Sequence, residues 1–500
     1  MYVTLATCSV AACSHCVMSS TGLSNAVAVP PAPSVASKRL LPWLVAVAFF
    51  MESLDTTILN TAVPAISAAL HVGPLSMKAV LASYTLSLAV FIPISGWVAD
   101  RFGTRRVFAA AIGLFSLGSF LCGISSNIHV LVACRILQGV GGSMMVPVGR
   151  LTLVRTFAKS DLLRTMSFVS IPALIAPMLG PIAGGLIVRY LHWRVIFFLN
   201  IPIGLIGLIM VYLHLPDYRE ETHPLDVVGL ILFGSGIALL SYVLEVFGEH
   251  TLSVREISGL LVLSLVLLAG YWLHAKTLAF PLLELGLFKI RTFRAAVSGS
   301  FFTRLGIGGV PFLLPLLYQV GLGFTPVESG LLIMPQAIAA MCMKMVMPRL
   351  LSVIGYRWVL ISNTIILGLL LMVFATIGLH TPVWMILLQA FIYGAFTSLQ
   401  YTSMNTLVYA DTTDQQTSAA SSIASTMQQM AISFGVATAG LATTFFVPSG
   451  HSGATEMIHG IHKALVALGV LTIVSTIVFQ SLKRGDGDAV SHQKVFHPGG

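Results

Sequence analysis

Charge is what this 500-residue chain has least of: Asp, Glu, Lys and Arg together make up 9% of it, against roughly 25% in an ordinary soluble domain. That scarcity excludes a water-soluble globular fold. Cysteine is scarce too, at 6 residues. Cys122, Cys134 and Cys342 fall inside apolar runs, where a thiol acts as a small hydrophobe, so no disulfide framework is implied. The other three, Cys8, Cys13 and Cys16, stand with His15 in an Ala/Ser/Val-rich leader ahead of Lys38. A metal site there would lack a second ligand pair. The leader has neither a basic n-region nor a compact apolar core, so it reads as a disordered tail rather than a signal peptide, with Met18 an alternative start. The net charge of +9 is spread singly through short loops, with no basic face or aromatic-interleaved patch, which excludes nucleic acid as a partner.

In place of charge there is apolar length. Hydrophobic residues make up 56% of the chain, gathered into fourteen segments from 41–64 to 461–482, each close to the roughly 20 residues that cross about 30 Å of hydrocarbon. In lipid the backbone must satisfy its own hydrogen bonds, and runs this long do so as helices rather than as the short alternating strands of a barrel. The fold class is therefore an all-α integral membrane protein of about 14 transmembrane helices. Nineteen of the 27 lysines and arginines fall on one side of that topology and five on the other, leaving Arg135, Arg304 and Lys344 inside helices. The positive-inside rule then places both termini in the cytoplasm, as expected for a multi-pass protein of a bacterial inner membrane, and requires an even number of crossings.

An ionisable group within the bilayer costs about 2.5 kcal/mol or more, so each is a functional candidate. Helix 1 carries Glu52 and Asp55 three residues apart on one face, followed by Asn60 and Pro64. A buried carboxylate binds a proton more readily than an exposed one, which suits Asp55, and secondarily Glu52, to proton coupling; the plain alternative is a static hydrogen-bonded acid. Helix 4 places Arg135, Gln138 and Gly142 on one face, with glycines that let the arginine approach a neighbouring carboxylate or, alternatively, backbone carbonyls. The loop after helix 2 holds Gly96, Asp100, Arg101, Gly103, Arg105 and Arg106, a candidate charge latch between helix bundles or a plain positive-inside anchor. Helix 5 contains Pro172, Pro177, Gly180, Pro181, Gly184 and Gly185, kinks and flat surfaces suited to a hinge or seal. Arg304 stands about ten residues into helix 9, roughly 15 Å deep, too far to snorkel. It reads as a cavity residue that pairs with an anionic or carboxylate-bearing substrate, or else as an arginine bracing its own helix. Gln138 and Asn60 join it as candidate substrate contacts. Lys344, nearer the end of helix 10, reads as a snorkelling lysine.

Together these segments resemble the major facilitator superfamily. Gly96 to Arg106 is similar to its loop signature, and Leu54 to Pro64 to the helix-1 motif of the fourteen-spanner drug:proton antiporters of the EmrB/QacA type. Arg135 to Gly142 is similar to the helix-4 motif, and Gly180 to Gly185 to the core of the helix-5 antiporter motif, although Ala176 and Ser167 replace earlier glycines. The segments 193–204 and 225–229 are similar to family segments bracketing helix 6. The resemblance implies two six-helix bundles, residues 40–215 and 291–482, around a central cavity, with an inserted helix pair in 216–290, a tail over 1–39 and a cytoplasmic tail over 483–500. It implies proton-coupled export of small molecules, with no cofactor and no resident metal, by a chain expected to work as a monomer.

Two other readings stand beside export. An uptake symporter would share the fold. A membrane-embedded enzyme would need a Ser/His/Asp or metal constellation inside the helices, yet nearly all 14 histidines lie in loops or near helix ends. The outer loop with His451, Glu456, His459 and His462 reads as solvated rather than metal-binding.

Overall fold

In the computed structural model the described residues are 35–157, 159–247, 253–413, 416–446, 454–483 and 485–487. The leader cysteines with His15, the loop residue His451, and Arg484 and Lys494 of the tail lie outside them. Every regular element among the described residues is helical. In the first half these are α1 (Val35–Ala69), α2 (Lys78–Phe102), α3 (Thr104–Ile124), α4 (Ile128–Thr156), α5 (Lys159–Tyr190) and α6 (Val195–His214). Then come α7 (Val227–Val246) and α8 (Val254–Thr277). The second half is α9 (Arg291–Gly321), α10 (Pro326–Ile354), α11 (Tyr356–Phe374), α12 (Val383–Leu407), α13 (Thr417–Phe446) and α14 (Ala454–Phe479). Thirteen are long and apolar enough to cross a membrane, and the 32-residue α5 adds the apolar stretch Ile175–Tyr190. Fourteen helices thus stand where the sequence led us to expect fourteen crossings, and thirteen of them meet the length and apolarity of a span.

Local chemistry sets the helix ends. Asn127 caps α4 by accepting from the Val130 amide at 2.9 Å. Thr325 and Glu328 form a reciprocal capping box at α10, with Pro326 in the first turn where its missing N–H costs nothing. Gly103 (φ 98°) and Gly355 (φ 81°) turn the chain between α2 and α3 and between α10 and α11, backbone angles a side chain rarely tolerates. The two halves thus use the same device at corresponding places, although the charged residues around Gly103 are not repeated around Gly355. Near its end α9 widens into a π-turn over Leu317–Gly321, the kind of irregularity that redirects a helix.

Packing sorts the helices into two bundles. In the first, α1 lies along α5, α4 against α2 and α3, and α6 on α3. In the second, α10 lies along α12, α9 on α13 and α11 on α14. The inserted helices α7 and α8 pair with each other, and α7 reaches both α2 and α13. The bundles meet where α2 faces α13, α5 faces α10 and α1 faces α9. These meetings include Ser433 Oγ donating to Ala82 O at 3.0 Å and Gln319 Nε2 donating to Thr61 O at 3.0 Å. They lie toward the face of the α1–α2 and α9–α10 connections, opposite the lysine- and arginine-rich face. Lys78, expected in an outer loop, is instead buried at the start of α2, its stem against Gly440 of α13; a helix begins one residue earlier than the loop reading allowed.

The insert is tied down at Asp226. Its carboxylate caps α7 through the Gly229 amide at 2.7 Å, accepts the Leu282 amide at 3.2 Å and meets His274 Nε2 at 2.8 Å. Burial alone would raise this carboxyl, but the bonds from His274, Gly229 and Leu282 outweigh it and hold it below its ordinary value. Asp226→Ala should cost about 1–2 kcal/mol. Because the folded-state value is lowered, the ionised group's contribution is complete above the unfolded value near 4 and fades as the pH falls through the folded one. Thermal unfolding in detergent should show wild type and variant separated at pH 7 and converging below about pH 4.

Candidate functional site

The polar centre of the first bundle is built on Asp55. Helix α1 directs it away from lipid, and the residue is 2% exposed. Its Oδ2 accepts from Arg135 Nη1 at 2.6 Å. Its Oδ1 accepts from Gln138 Nε2 at 2.9 Å and from Asn200 Nδ2 at 3.1 Å. Arg135 and Gln138 are one helical turn apart on α4, and Arg135 Nη1 also donates to Gln138 Oε1 at 2.8 Å. The Ser119 hydroxyl of α3 accepts from both Gln138 and Asn200, at 3.1 and 2.9 Å, and donates to Phe197 O. The guanidinium of Arg135 lies over the Tyr84 ring of α2, 4.2 Å from its centroid, an added attraction for a desolvated cation. Five of the six helices of the bundle (α1, α3, α4 and α6 by hydrogen bonds, α2 by the ring) thus converge on one carboxylate.

Close helix contact makes this possible. A Cβ on Gly139 would stand 2.6 Å from Ser87 Cβ of α2, and one on Gly141 2.5 Å from the Phe115 amide of α3. The i, i+3 spacing on α4 made Arg135 and Gln138 legible as partners of a neighbouring acid. Ser119, Asn200 and Tyr84 carried no such signal: neutral hydroxyls, amides and phenols are common in membrane helices, and their roles depend on which helices touch. Glu52 is half-buried one turn before Asp55 and is not hydrogen-bonded into this network among the described residues.

Between the bundles lies a cavity of about 370 Å³, with one wall from α1 and α5 and the other from α9, α10 and α12. Its lining includes Asn60, Pro177, Pro181, Lys344, Tyr401 and Asn405. Since α1 runs from Asp55 directly to the lining residues Thr57, Asn60 and Thr61, one helix joins the carboxylate to the cavity. Three expectations meet different geometry. Gln138 is in the Asp55 network and does not line the cavity. Arg304 is fully buried and stands behind the wall, its guanidinium 3.9 Å from the centroid of the Tyr401 ring and bonded to the Ser300 hydroxyl. Lys344 is exposed and lines the cavity, because the face of α10 that carries Gln336 and Ala340 also carries it, two turns on from Gln336.

The proline- and glycine-rich stretch of α5 has two distinct faces. Gly180 and Gly184 press on α1: a Cβ there would lie 2.2 Å from Thr57 Oγ1 and 2.4 Å from Ile58 O. Gly185 presses on the other bundle, where a Cβ would stand 2.5 Å from Pro326 O, and Gly330 of α10 answers with 2.4 Å to Pro181 O. Asp100, expected in a loop, is in the last turn of α2 and pairs with Arg155 at 2.8 Å, and Arg155 also with Glu220 at 2.7 Å. The Arg105 amide donates to Asp217 Oδ1 at 3.1 Å and its Nε to Leu215 O at 2.5 Å. Arg101 is exposed, Gly96 has open space beside it, and a side chain at Gly103 would strike Asp217. All these partners belong to the first bundle and the segment leading to α7.

Known proteins agree with this architecture. The Major Facilitator Superfamily profile matches residues 45–436. A protein of Serratia proteamaculans (strain 568), named "Putative multidrug resistance protein MdtD", is 41% identical over 424 residues, covering 85% of this chain and 88% of the relative. The protein of that name from Escherichia coli O81 (strain ED1a) is 41% identical over 410 residues, covering 82% and 87%. Among solved structures, a bacterial homolog to the human lysosomal transporter Spinster superposes with a TM-score of 0.63 at 13% identity, covering 90% of this chain and 97% of its own. A D-xylose–proton symporter superposes with a TM-score of 0.60 at 14% identity, covering 88% and 97%. With two six-helix bundles, an inserted pair and a profile match over most of its length, the chain belongs to the Major Facilitator Superfamily.

Proposed function

We propose that this chain is a proton-driven exporter of the multidrug type, set in a bacterial inner membrane with both termini in the cytoplasm. The observation that carries the reading is the donor-only surrounding of Asp55. Its two oxygens face N–H groups of Arg135, Gln138 and Asn200, which an ionised carboxylate satisfies completely. A proton cancels the charge that holds Arg135, and on Oδ1, which already accepts two N–H bonds, it displaces one of them. Protonation thus loosens the ties of α1 to α4 and α6. Because α1 also lines the cavity, loading or losing a proton changes the cavity wall, which is the coupling an antiporter needs. Glu52, one turn nearer the basic face, offers a relay position for the proton.

The names of the MdtD relatives support export of drug-like molecules. The cross-bundle contacts on one face, and a cavity reaching toward Lys344 and Asn405 on the other, support an inward-facing state in which substrate loads from the cytoplasm. Proton entry is downhill by about 2.3 kcal/mol per 100 mV, before any pH gradient is added. In proteoliposomes an imposed pH gradient should drive accumulation of ethidium or 1-naphthaleneacetate, and collapsing the gradient should stop it. Accumulation that ignores the gradient would exclude proton coupling.

The Asp100 cluster serves as the gating latch in the same reading, holding α2, α4 and the approach to α7 as one unit when the basic face closes. Asp100→Ala should slow turnover about tenfold, equivalent to about 1.4 kcal/mol in the barrier, with probe binding unchanged because the cavity lies elsewhere. A normal rate with lost binding would contradict that role.

A further inference from the structure

We propose that the central cavity is an anion site, built for an organic molecule with an apolar or aromatic body and one carboxylate, the carboxylate held by Lys344 and the Tyr401 hydroxyl. The proposal rests on the export reading only in taking the cavity as the place where substrate binds.

Register brings the two groups together. Ser398 Oγ donates to Ala340 O at 2.9 Å, and a Cβ on Gly394 would lie 2.2 Å from Gln336 O. Helices α10 and α12 therefore run side by side with residue n of one beside residue n+58 of the other. That offset sets Lys344 level with Tyr401 and Thr402, all three of which line the cavity. Among the described residues Lys344 is the one charged residue on the wall, and no aspartate or glutamate lines it.

A second cation stands behind the first contact. The Arg304 guanidinium lies against the Tyr401 ring, its Nε has no hydrogen-bond partner, and its side-chain bond goes to the neutral Ser300. Neither Arg304 nor Lys344 enters an ion pair among the described residues, whereas the buried Arg135 of the other bundle has its Asp55. Arg304 is buried and Lys344 exposed, and the uncompensated charge of a buried guanidinium in a low-dielectric wall focuses its field into the adjoining cavity. A guanidinium on one face of a phenol also draws electron density from the ring and makes the hydroxyl a stronger donor. Tyr401 lines the cavity, and its contact among the described residues is the Arg304 guanidinium over its ring. The rest of the wall suits an apolar body: Pro177, Pro181, Pro311, Leu314, Ile333 and Met341 line it, and about 370 Å³ lies at the small end of ordinary ligand pockets.

Binding to purified protein in detergent, with no gradient present, separates this site from the transport reading. 1-Naphthaleneacetate should bind at least about tenfold more tightly than its methyl ester, the usual worth of a charge-assisted hydrogen bond. Lys344→Gln should erase that preference while leaving ester affinity unchanged, Lys344→Arg should keep it, and Tyr401→Phe should weaken it. In proteoliposomes, exchange of one proton for one monoanion moves two charges, so a valinomycin potential should shift the limiting gradient of the carboxylate about a hundredfold for every 60 mV. Equal or weaker binding of the carboxylate, or a preference that survives Lys344→Gln, overturns the anion site, even if ethidium is still driven by the proton gradient. A Lys344-dependent preference without any gradient-driven movement leaves the anion site standing and removes the export reading instead.

Discussion

Proteoliposomes containing Asp55→Asn should show no accumulation of ethidium or 1-naphthaleneacetate under a pH gradient that drives the wild-type protein, a fall of at least about a thousandfold in coupled rate. The amide keeps the size and part of the hydrogen bonding of the carboxylate but neither binds a proton at neutral pH nor carries charge. Arg135 is then a buried cation facing the neutral amide at position 55, Gln138 and the Tyr84 ring, with no opposite charge. Removing one member of a buried pair commonly costs about 3–5 kcal/mol, so the melting temperature should drop while the protein still reaches the membrane. Two controls separate lost coupling from lost fold. Downhill exchange of probe across the membrane should persist in Asp55→Asn, and Arg135→Lys, which keeps a charge but not the planar donors, should weaken coupling less than Asp55→Asn does. Gradient-driven accumulation retained by Asp55→Asn would sink the proton-coupling role.

The second large effect is expected at adjacent glycines of α5 that act on different partners. A side chain at Gly184 would meet Ile58 O and Thr61 Oγ1 within the same bundle, both at 2.4 Å. It cannot be relieved by any movement of one bundle against the other. Gly184→Val should therefore destabilise the fold itself, by about 2–4 kcal/mol as overpacking of a tight interface. A side chain at Gly185 meets Pro326 O and Val327 Cα of the other bundle. That clash vanishes when the bundles part on this face. Gly185→Val should leave thermal stability within about 1 kcal/mol, hold the protein open on the α1–α2 face and slow transport a hundredfold or more. Accessibility of a cysteine placed at Thr61 to a membrane-impermeant maleimide reports the difference: high in Gly185→Val, low in the parent. Equal accessibility, or equal loss of melting temperature in the two variants, contradicts the assignment of Gly185 to the moving interface.

What the sequence made legible divides along physical lines. Crossing number followed from apolar length and charge from loop position, both properties of the chain alone, and the structure has the same fourteen helices. The pairing of Asp55 with Arg135 was within reach because each is costly in lipid, so each demands a partner and only a few exist. Depth arithmetic set Arg304 away from both surfaces, and the structure buries it in protein. It could not give the rotation of α9 about its axis, and that rotation aims the guanidinium at Tyr401, nearly a hundred residues away in sequence, rather than into the cavity. Lys344 shows the converse. Distance from a helix end suggested snorkelling, but the parallel contact of α10 with α12 decides which way its face turns. Ser119 and Asn200 were illegible for a third reason: a neutral side chain can satisfy itself locally, and only tertiary contact commits it to Asp55.

The central claim is that substrate binding and proton binding meet at Asp55 through α1. Ethidium or 1-naphthaleneacetate, whichever binds, added to purified protein in lightly buffered detergent and followed with a pH indicator from pH 5 to pH 9, measures that directly. The account predicts a change in bound protons when the probe binds the wild-type protein, and none in Asp55→Asn at saturating probe. An equal change in both proteins would contradict it.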